Sequence, residues 1–278
     1  MRTERIRNLV GGIIAIVVTG IIFLVPFIFI LLTAMKTREE ANLLEFGWPV
    51  GDFRLFENVT EVLQIRDYTV VRAFINSSIL TVFSVSIMVV LAAMVGWTLQ
   101  RRQTRWNGLI NMLVLAGLII PPAVVPTIFV MKALGIFATM PGLILIEIAF
   151  GLSFCILLFR AFAATVPREI DEAAIIDGAG PIRLFFQFAF PLLRSVIVTV
   201  IVVQSVFVFN DFAAPLYFAP GADNVTVQLS LYNFQSQYFT SYNLLFTDIL
   251  LITIPPLLIF IFFNKQIVAG LTSGAVKG

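Results

Sequence analysis

Three acidic residues lie inside long apolar stretches of the sequence, where a charged group is costly: Glu147, Asp211 and Asp248. At about 1.5 Å of helix rise per residue, Asp211 lies about 28 Å along its stretch, and the other two lie about 8 Å from the outer ends of theirs. Acids at such depths can hydrogen-bond a hydroxylated solute, bind an ion or form a structural contact between helices. The solute and structural interpretations weigh equally for Asp211, and the structural one is favoured for Glu147 and Asp248.

The composition defines the class of protein that carries these acids. The 278 residues are 59% hydrophobic and 12% charged, with a mean hydropathy of +1.00 and a net charge of +2. Such values indicate an integral membrane protein without a large soluble domain. The sequence has no histidine, a single cysteine at Cys155 and no GxxxxGK[ST] loop. These absences exclude zinc–histidine sites, a disulfide within the chain and ATP hydrolysis by a recognisable phosphate loop.

Six apolar runs predict six membrane-spanning helices. They cover about residues 10–35, 71–99, 107–131, 142–159, 192–218 and 243–263. Polar loops are predicted over 37–68 and 219–242. Prolines at positions 121, 122 and 126 predict a bend or break in the third span, and a proline pair at 255–256 interrupts the sixth. Such breaks are packing features or mark a moving, cavity-lining backbone, and packing is the favoured interpretation.

The distribution of basic residues predicts the orientation of these spans. Most of the 18 arginines and lysines fall on the side of the two termini, and the exceptions are Lys36, Arg38, Arg54, Arg66, Arg72 and Lys132. The positive-inside rule therefore places both termini in the cytoplasm. We predict a cytoplasmic N-terminus at 1–9, a transmembrane domain at 10–264 and a cytoplasmic tail at 265–278.

The segment from Pro167 to Pro191, PREIDEAAIIDGAGPIRLFFQFAFP, is the longest polar and amphipathic insert on the cytoplasmic side. Acids just after Pro167 favour a helix start, and apolar residues continue the helix to Ile176. The run Asp177-Gly178-Ala179-Gly180-Pro181 breaks it. Residues 182–190 then show an amphipathic pattern. The sequence predicts two short helices joined by a tight turn.

The spacing within this segment resembles a known motif. Glu172-Ala173-Ala174 is followed by three residues, by Gly178, and by an apolar-x-apolar-Pro ending at Pro191. This pattern is similar to the EAA loop of permease subunits of ATP-binding-cassette importers. The resemblance implies that the paired helices dock into a groove on a cytoplasmic ATPase subunit. It also implies a salt bridge for Glu172 and the tight turn for Gly178, and the implied coupling residues are Glu172, Ala173, Ala174, Asp177, Gly178 and Pro191.

Two further stretches carry the same resemblance. The end of the chain reads GLTSGAVKG, which is similar to the terminus of the smaller permease in maltose-type carbohydrate importers. The resemblance implies that Gly270, Gly274, Lys277 and Gly278 extend toward the ATPase. Asn210-Asp211-Phe212 is similar to a pattern in the fifth span of those permeases, which suggests Asn210 and Asp211 as residues of the translocation pathway.

The predicted protein is therefore an all-α integral membrane permease with six transmembrane helices, similar to type I ABC importers. It would import sugars or polyols into a bacterial or archaeal cell through its inner membrane, with a second permease, two ATPase subunits and an extracytoplasmic solute-binding protein. No catalytic residue, metal site, cofactor or nucleic-acid partner is predicted for this chain, and ATP and Mg²⁺ would be used by the ATPase. The alternatives are a permease for a non-sugar solute and an ion-coupled secondary transporter.

Overall fold

The computed structural model describes residues 2–234 and 241–275, with only the backbone described at residues 2–10, 14, 233 and 265–275. Within those ranges all regular secondary structure is helical. The longer helices are α1 (Arg2–Ala34), α3 (Leu55–Arg101), α4 (Asn107–Ile119), α5 (Val124–Ala133), α6 (Met140–Ala163), α10 (Arg194–Phe209) and α13 (Tyr242–Ala275).

Short helices connect these long ones. They are α2 (Arg38–Asn42), α7 (Glu169–Ile176), α8 (Pro181–Arg183), α9 (Phe190–Leu192), α11 (Ala213–Phe218) and α12 (Val227–Ser230). A π-helical turn covers Leu184–Ala189, and 3₁₀ turns cover Ala222–Asn224 and Leu231–Phe234.

Four of the described helices are long and apolar enough to cross a membrane: Gly11–Ala34, Leu55–Arg101, Met140–Ala163 and Tyr242–Asn264. Two bent pairs raise the number to six if each pair is one span. In the first, α4 and α5 meet at 115°, and in the second, Pro181–Leu192 and α10 meet at 76°. The first bend confirms the predicted break in the third span, where Pro121 and Pro122 lack the N–H that a continuous helix needs.

The helices differ from the prediction in four places. Helix α13 continues through the proline pair at 255–256, where the sequence predicted an interruption. The predicted loop at 37–68 contains α2 and the start of α3, which is helical from Leu55 until a break at Ile65–Tyr68 with φ of 46–58° at its last three residues. The fifth predicted span is interrupted between α10 and α11. Helix α13 continues through the predicted tail to Ala275. This segment contains no proline, and its glycines, Gly270 and Gly274, only weakly disfavour a helix.

The chain divides into two units, and the first comprises residues 1–70 and 230–254. Its buried polar centre is Asn58, whose side-chain amide donates to the carbonyls of Ala34 and Lys36 at 2.9 and 3.0 Å. The Oδ1 atom of Asn58 accepts from Asn243 at 3.0 Å. This network satisfies carbonyl groups at the end of α1, which have no partner inside that helix.

The second unit comprises residues 71–229 and 255–278 and has a core of α3, α6 and α10. Phe159, Phe218 and Leu143 are fully buried there. Gly96 of α3 lies directly against α6: a Cβ atom at Gly96 would be 2.8 Å from Cβ of Phe159 and 2.9 Å from the backbone nitrogen of Arg160. The absence of a side chain therefore sets the distance between α3 and α6, as is common between membrane helices.

This contact makes Gly96→Ala a destabilising substitution. The added methyl group meets backbone atoms that cannot rotate away, so α3 and α6 must separate at a cost of about 1–3 kcal/mol. Thermal unfolding of the purified chain in detergent should show a lower midpoint. The matched control is Gly108→Ala in α4, where a Cβ atom has nothing within 4 Å. Equal midpoints for the two variants would contradict the close-packing account.

Candidate functional site

The coupling loop, residues 167–191, is a pair of helices joined by a turn. Helix α7 ends in a Schellman motif, in which the N–H of Ala179 donates to the carbonyl of Ala174 and the N–H of Gly178 donates to that of Ile175, both at 3.0 Å. Gly178 has a φ of +78°, a conformation that a residue with a side chain rarely adopts. Pro181 then begins the second arm, which continues as a π-helical turn and α9 to Leu192.

Arg101, at the end of α3, holds the base of this loop. Its guanidinium donates to the carbonyls of Val166 and Pro167 at 2.9 and 3.3 Å. Its Nε lies 2.8 Å from a carboxylate oxygen of Asp171, and both side chains are largely buried, with exposed fractions of 10% and 15%. The guanidinium also lies 4.4 Å from the centre of the Trp97 ring. One arginine thus joins α3 to the start of α7.

The ionisation of Asp171 is sensitive to its surroundings. The pKa of this carboxyl is above its usual value: burial is the largest effect and raises it, whereas the nearby positive charges of Arg101 and Arg168 lower it. The negative charge of Glu172 adds to the increase. Removal of Arg101 would therefore raise the pKa of Asp171 further and favour its neutral form.

Part of the exposed surface of the coupling loop is apolar although the loop is rich in charged residues. Ile175, Ile176 and Ile182 are exposed to 60, 86 and 75%, whereas Ala174 and Phe185 are buried against the chain. Isoleucine side chains so exposed on a loop rich in charge are typical of a surface that binds another protein. We call these three residues the isoleucine patch.

A cavity of about 630 Å³ lies between the loop and α3. Its walls include Trp97 and Arg101 from α3, Glu172 from α7, and Phe185 and Phe186 from the second arm. The loop therefore does not pack tightly onto the helices over its whole length. Its main polar attachment is at Arg101, which leaves the tip free to present the isoleucine patch.

The predicted coupling residues fall at distinct places in this loop. Glu172 and Ala173 are exposed on α7, Ala174 is buried beneath it, and Asp177 and Gly178 form the turn. Glu172 has no ion pair with any residue that the structure describes, and the arginine contact belongs to Asp171 instead. Pro191 lies within α9, at the end of the second arm.

Asn210 and Asp211 occupy the break between α10 and α11. Oδ1 of Asp211 accepts from the N–H groups of Ala213 and Ala214 at 2.8 and 3.3 Å, which caps α11. Asn210 is exposed, donates to the carbonyl of Val206 at 2.8 Å and accepts from Gln228 at 3.0 Å. The carboxyl of Glu147, which is 1% exposed, lies close enough to interact with Asp211.

The remaining predicted residues lie elsewhere in the chain. Asp248, in the first unit, is fully buried and accepts from the hydroxyl of Ser230 at 2.8 Å. The backbone at Gly270 and Gly274 is helical, as part of α13. Lys277 and Gly278 lie outside the described residues.

Two features of the site were not predicted from the sequence. Arg101 stood in a basic cluster, Arg101-Arg102-Gln103-Thr104-Arg105, that indicated only which side of the membrane it is on. The isoleucine patch could have been found from the pair Ile175-Ile176 directly before a charged turn. The pairing of Arg101 with Asp171 carries no sequence signal, because the two residues are far apart in the chain.

The sequence of this chain matches a known protein family. Residues 70–273 match the family described as binding-protein-dependent transport system inner membrane component. The chain belongs to this family. It is therefore a multi-pass inner membrane permease of an importer and not an enzyme.

Curated relatives of this permease include sugar permeases of several bacteria. It is 30% identical to the diacetylchitobiose uptake system permease protein NgcG of Streptomyces coelicolor, over 94% of this chain and 87% of the relative. It is 33% identical to the trehalose transport system permease protein SugB of Mycobacterium tuberculosis, over 74% and 77%. The melibiose/raffinose/stachyose import permease protein MelC of Bacillus subtilis is 28% identical, over 100% and 98%.

A solved structure shares the fold. A chain of a bacterial ABC transporter involved in the import of the acidic polysaccharide alginate superposes with a TM-score of 0.82 at 18% identity, covering 95% of this permease and 98% of that chain. At this level of identity the likeness establishes the all-helical architecture.

The role of Arg101 can be tested in the full-length permease with Arg101→Gln. Loss of the ion pair and of the carbonyl contacts, each worth about 1.5–3 kcal/mol for a charged donor, should loosen the start of the coupling loop. Amide hydrogen exchange over residues 167–176 should become faster by about tenfold or more. Arg105→Gln, which alters an exposed arginine outside the loop, should leave this exchange unchanged. Equal protection in both variants would show that Arg101 does not hold the loop.

Proposed function

We propose that this permease forms half of the translocation pathway of an ATP-driven importer of sugars or related polyols in a bacterial or archaeal cell. The complete importer would contain a second, similar permease, two ATPase subunits that use ATP and Mg²⁺, and an extracytoplasmic solute-binding protein. Family membership supports the binding-protein partner. The relatives that are named for the transport of diacetylchitobiose, trehalose and melibiose support the sugar class.

The proposed topology has six spans with both termini in the cytoplasm. The spanning domain covers residues 10–264, between a short N-terminus at 1–9 and a C-terminal segment at 265–278. Counting one span for each bent helix pair supports this number, with α10 as the crossing part of the second pair, and the distribution of basic residues supports the orientation. In this topology the coupling loop faces the compartment that contains ATP.

The observation that carries the proposal is the isoleucine patch on a loop anchored at its base. Ile176 and Ile182 present apolar surface to the aqueous side, whereas Arg101 fixes the start of α7 to the end of α3. An ATPase subunit that covers the patch would remove this apolar area from water. Movement of that subunit during ATP binding would then be transmitted through the loop to α3 and would rock the spans between outward-open and inward-open states.

The other predicted residues have more limited parts in this proposal. Gly270, Gly274, Lys277 and Gly278 would extend toward the ATPase. Asn210 offers an exposed amide to a hydroxylated solute at the break of the fifth span, and Asp211 holds that break by capping α11. The exposed carboxylate of Glu172 is available for a salt bridge with the ATPase rather than within the described part of this chain.

The test is a pull-down of the tagged full-length permease from native membranes in detergent, with mass spectrometry of the co-purifying chains. The wild type should recover a second permease and an ATPase with a nucleotide-binding loop. Ile176→Asp combined with Ile182→Asp should lose most of the ATPase and keep the second permease, because a charge in an apolar interface costs several kcal/mol.

The control is Val50→Asp, which alters a side chain that is 95% exposed in the first unit and should keep both partners. Retention of the ATPase by the double variant would contradict docking at the isoleucine patch. Recovery of the wild-type chain without any ATPase would contradict the importer and favour an ion-coupled transporter.

A further inference from the structure

A second cavity, of about 370 Å³, lies where three apolar helices of the second unit end. The last turn of α3 contributes Gln100, and the link after it contributes Gln103. The start of α4 contributes Asn107 and Asn111, and Arg160 comes from the last turn of α6. Arg168, at the start of α7, completes the wall. Among the residues that line this cavity there are two arginines and no carboxylate.

Arg160 lacks a negative partner in this cavity. Its Nη1 donates to Oδ1 of Asn111 at 2.6 Å, and it forms no ion pair with any residue in the described part of the chain. The charge of the other arginine, Arg168, acts on the carboxylate of Asp171, which is already paired with Arg101. A half-buried guanidinium that is bonded only to a neutral amide keeps several N–H donors and a positive charge for an anion.

The neighbouring residues place the cavity at the level of lipid headgroups. Trp106, between the lining residues Thr104 and Asn107, is 55% exposed, and the Arg105 guanidinium lies 5.2 Å from the centre of its ring. Exposed tryptophan beside basic residues at a helix end is typical of the membrane–water interface. Farther along α4, Leu109 and Met112 are exposed to 48 and 65% and offer an apolar surface to acyl chains.

We propose that this cavity binds a phosphate group, supplied by the headgroup of an anionic phospholipid. Two arginines match phosphate in charge, and their planar guanidinium groups can bind its oxygens in pairs. Gln100, Gln103 and Asn111 add neutral amide donors around the same volume. Basic cavities between membrane helices at this depth are suited to anionic headgroups. Only the assignment to the cytoplasmic leaflet rests on the proposed topology.

The site would link the lipid to the coupling loop. Arg168 lines this cavity and also the cavity beneath the loop, and its carbonyl accepts from the N–H groups of Asp171 and Glu172 at 3.0 and 3.2 Å. A phosphate held by Arg160 and Arg168 would therefore restrain the first turn of α7. We expect occupancy of the cavity to slow amide exchange in that turn.

The experiment is native mass spectrometry of the full-length permease, with the partners that co-purify, titrated with phosphatidylglycerol, phosphatidylcholine or inorganic phosphate. Phosphatidylglycerol should bind to the wild type. Arg160→Gln combined with Arg168→Gln should weaken this binding by at least about tenfold, because each arginine near an anionic headgroup adds to the binding free energy. Arg194→Gln, an exposed arginine that lines neither cavity, should bind like the wild type. Arg160→Lys combined with Arg168→Lys keeps the charge but loses the paired hydrogen bonds, so it should bind more tightly than the double glutamine variant and more weakly than the wild type, which controls for folding.

Three results would overturn the proposal. Equal binding of phosphatidylglycerol by the double glutamine variant and the wild type would show that these arginines do not form the site. Equal binding of phosphatidylcholine would show that anionic charge is not recognised. Displacement of the lipid by inorganic phosphate would identify free phosphate as the ligand instead. None of these results depends on recovery of an ATPase.

Discussion

The attachment of the coupling loop to the end of α3 through Arg101 is the interaction on which the proposed function of this permease depends. A loop with an exposed apolar tip transmits movement only if its base is fixed, and Arg101 fixes it through Asp171 and two backbone carbonyls. The same helix contacts α6 closely at Gly96, one turn and a half before Arg101. A displacement of the loop is thus applied to two packed helices rather than to a flexible linker.

The need to satisfy backbone polar groups in lipid explains Asp211 and the interruption of the fifth predicted span together. Where the fifth predicted span breaks, Asp211 caps α11 and Asn210 binds a carbonyl of α10. Asp248 accepts a hydrogen bond from Ser230, and both residues belong to the first unit. These contacts favour a structural role for Asp211 and Asp248, and they leave Asn210 as the exposed polar group at the break.

Different parts of the structure were predictable to different degrees. Apolar run length identified the four long apolar helices, and the Asp-Gly-Ala-Gly-Pro sequence located the turn, because both signals are local. The helical start of α3 at Leu55 was missed, since its mixed polar pattern resembles a loop. The break after Phe209 was also missed, although Pro215 lacks the N–H that a continuous helix would donate to the carbonyl of Asp211. Side-chain capping by Asp211 stabilises the break. The pairing of Arg101 with Asp171 arises from tertiary packing alone.

Docking of an ATPase subunit at the isoleucine patch is tested most directly by a photo-crosslink from the tip of the coupling loop. The variant Ile176→Cys introduces a thiol at a side chain that is 86% exposed, and the native Cys155 is fully buried, so a photoactivatable maleimide should label the new position selectively. Irradiation of the assembled complex should link the permease to an ATPase subunit. Crosslinks only to lipid, or only to a second permease, would contradict this docking.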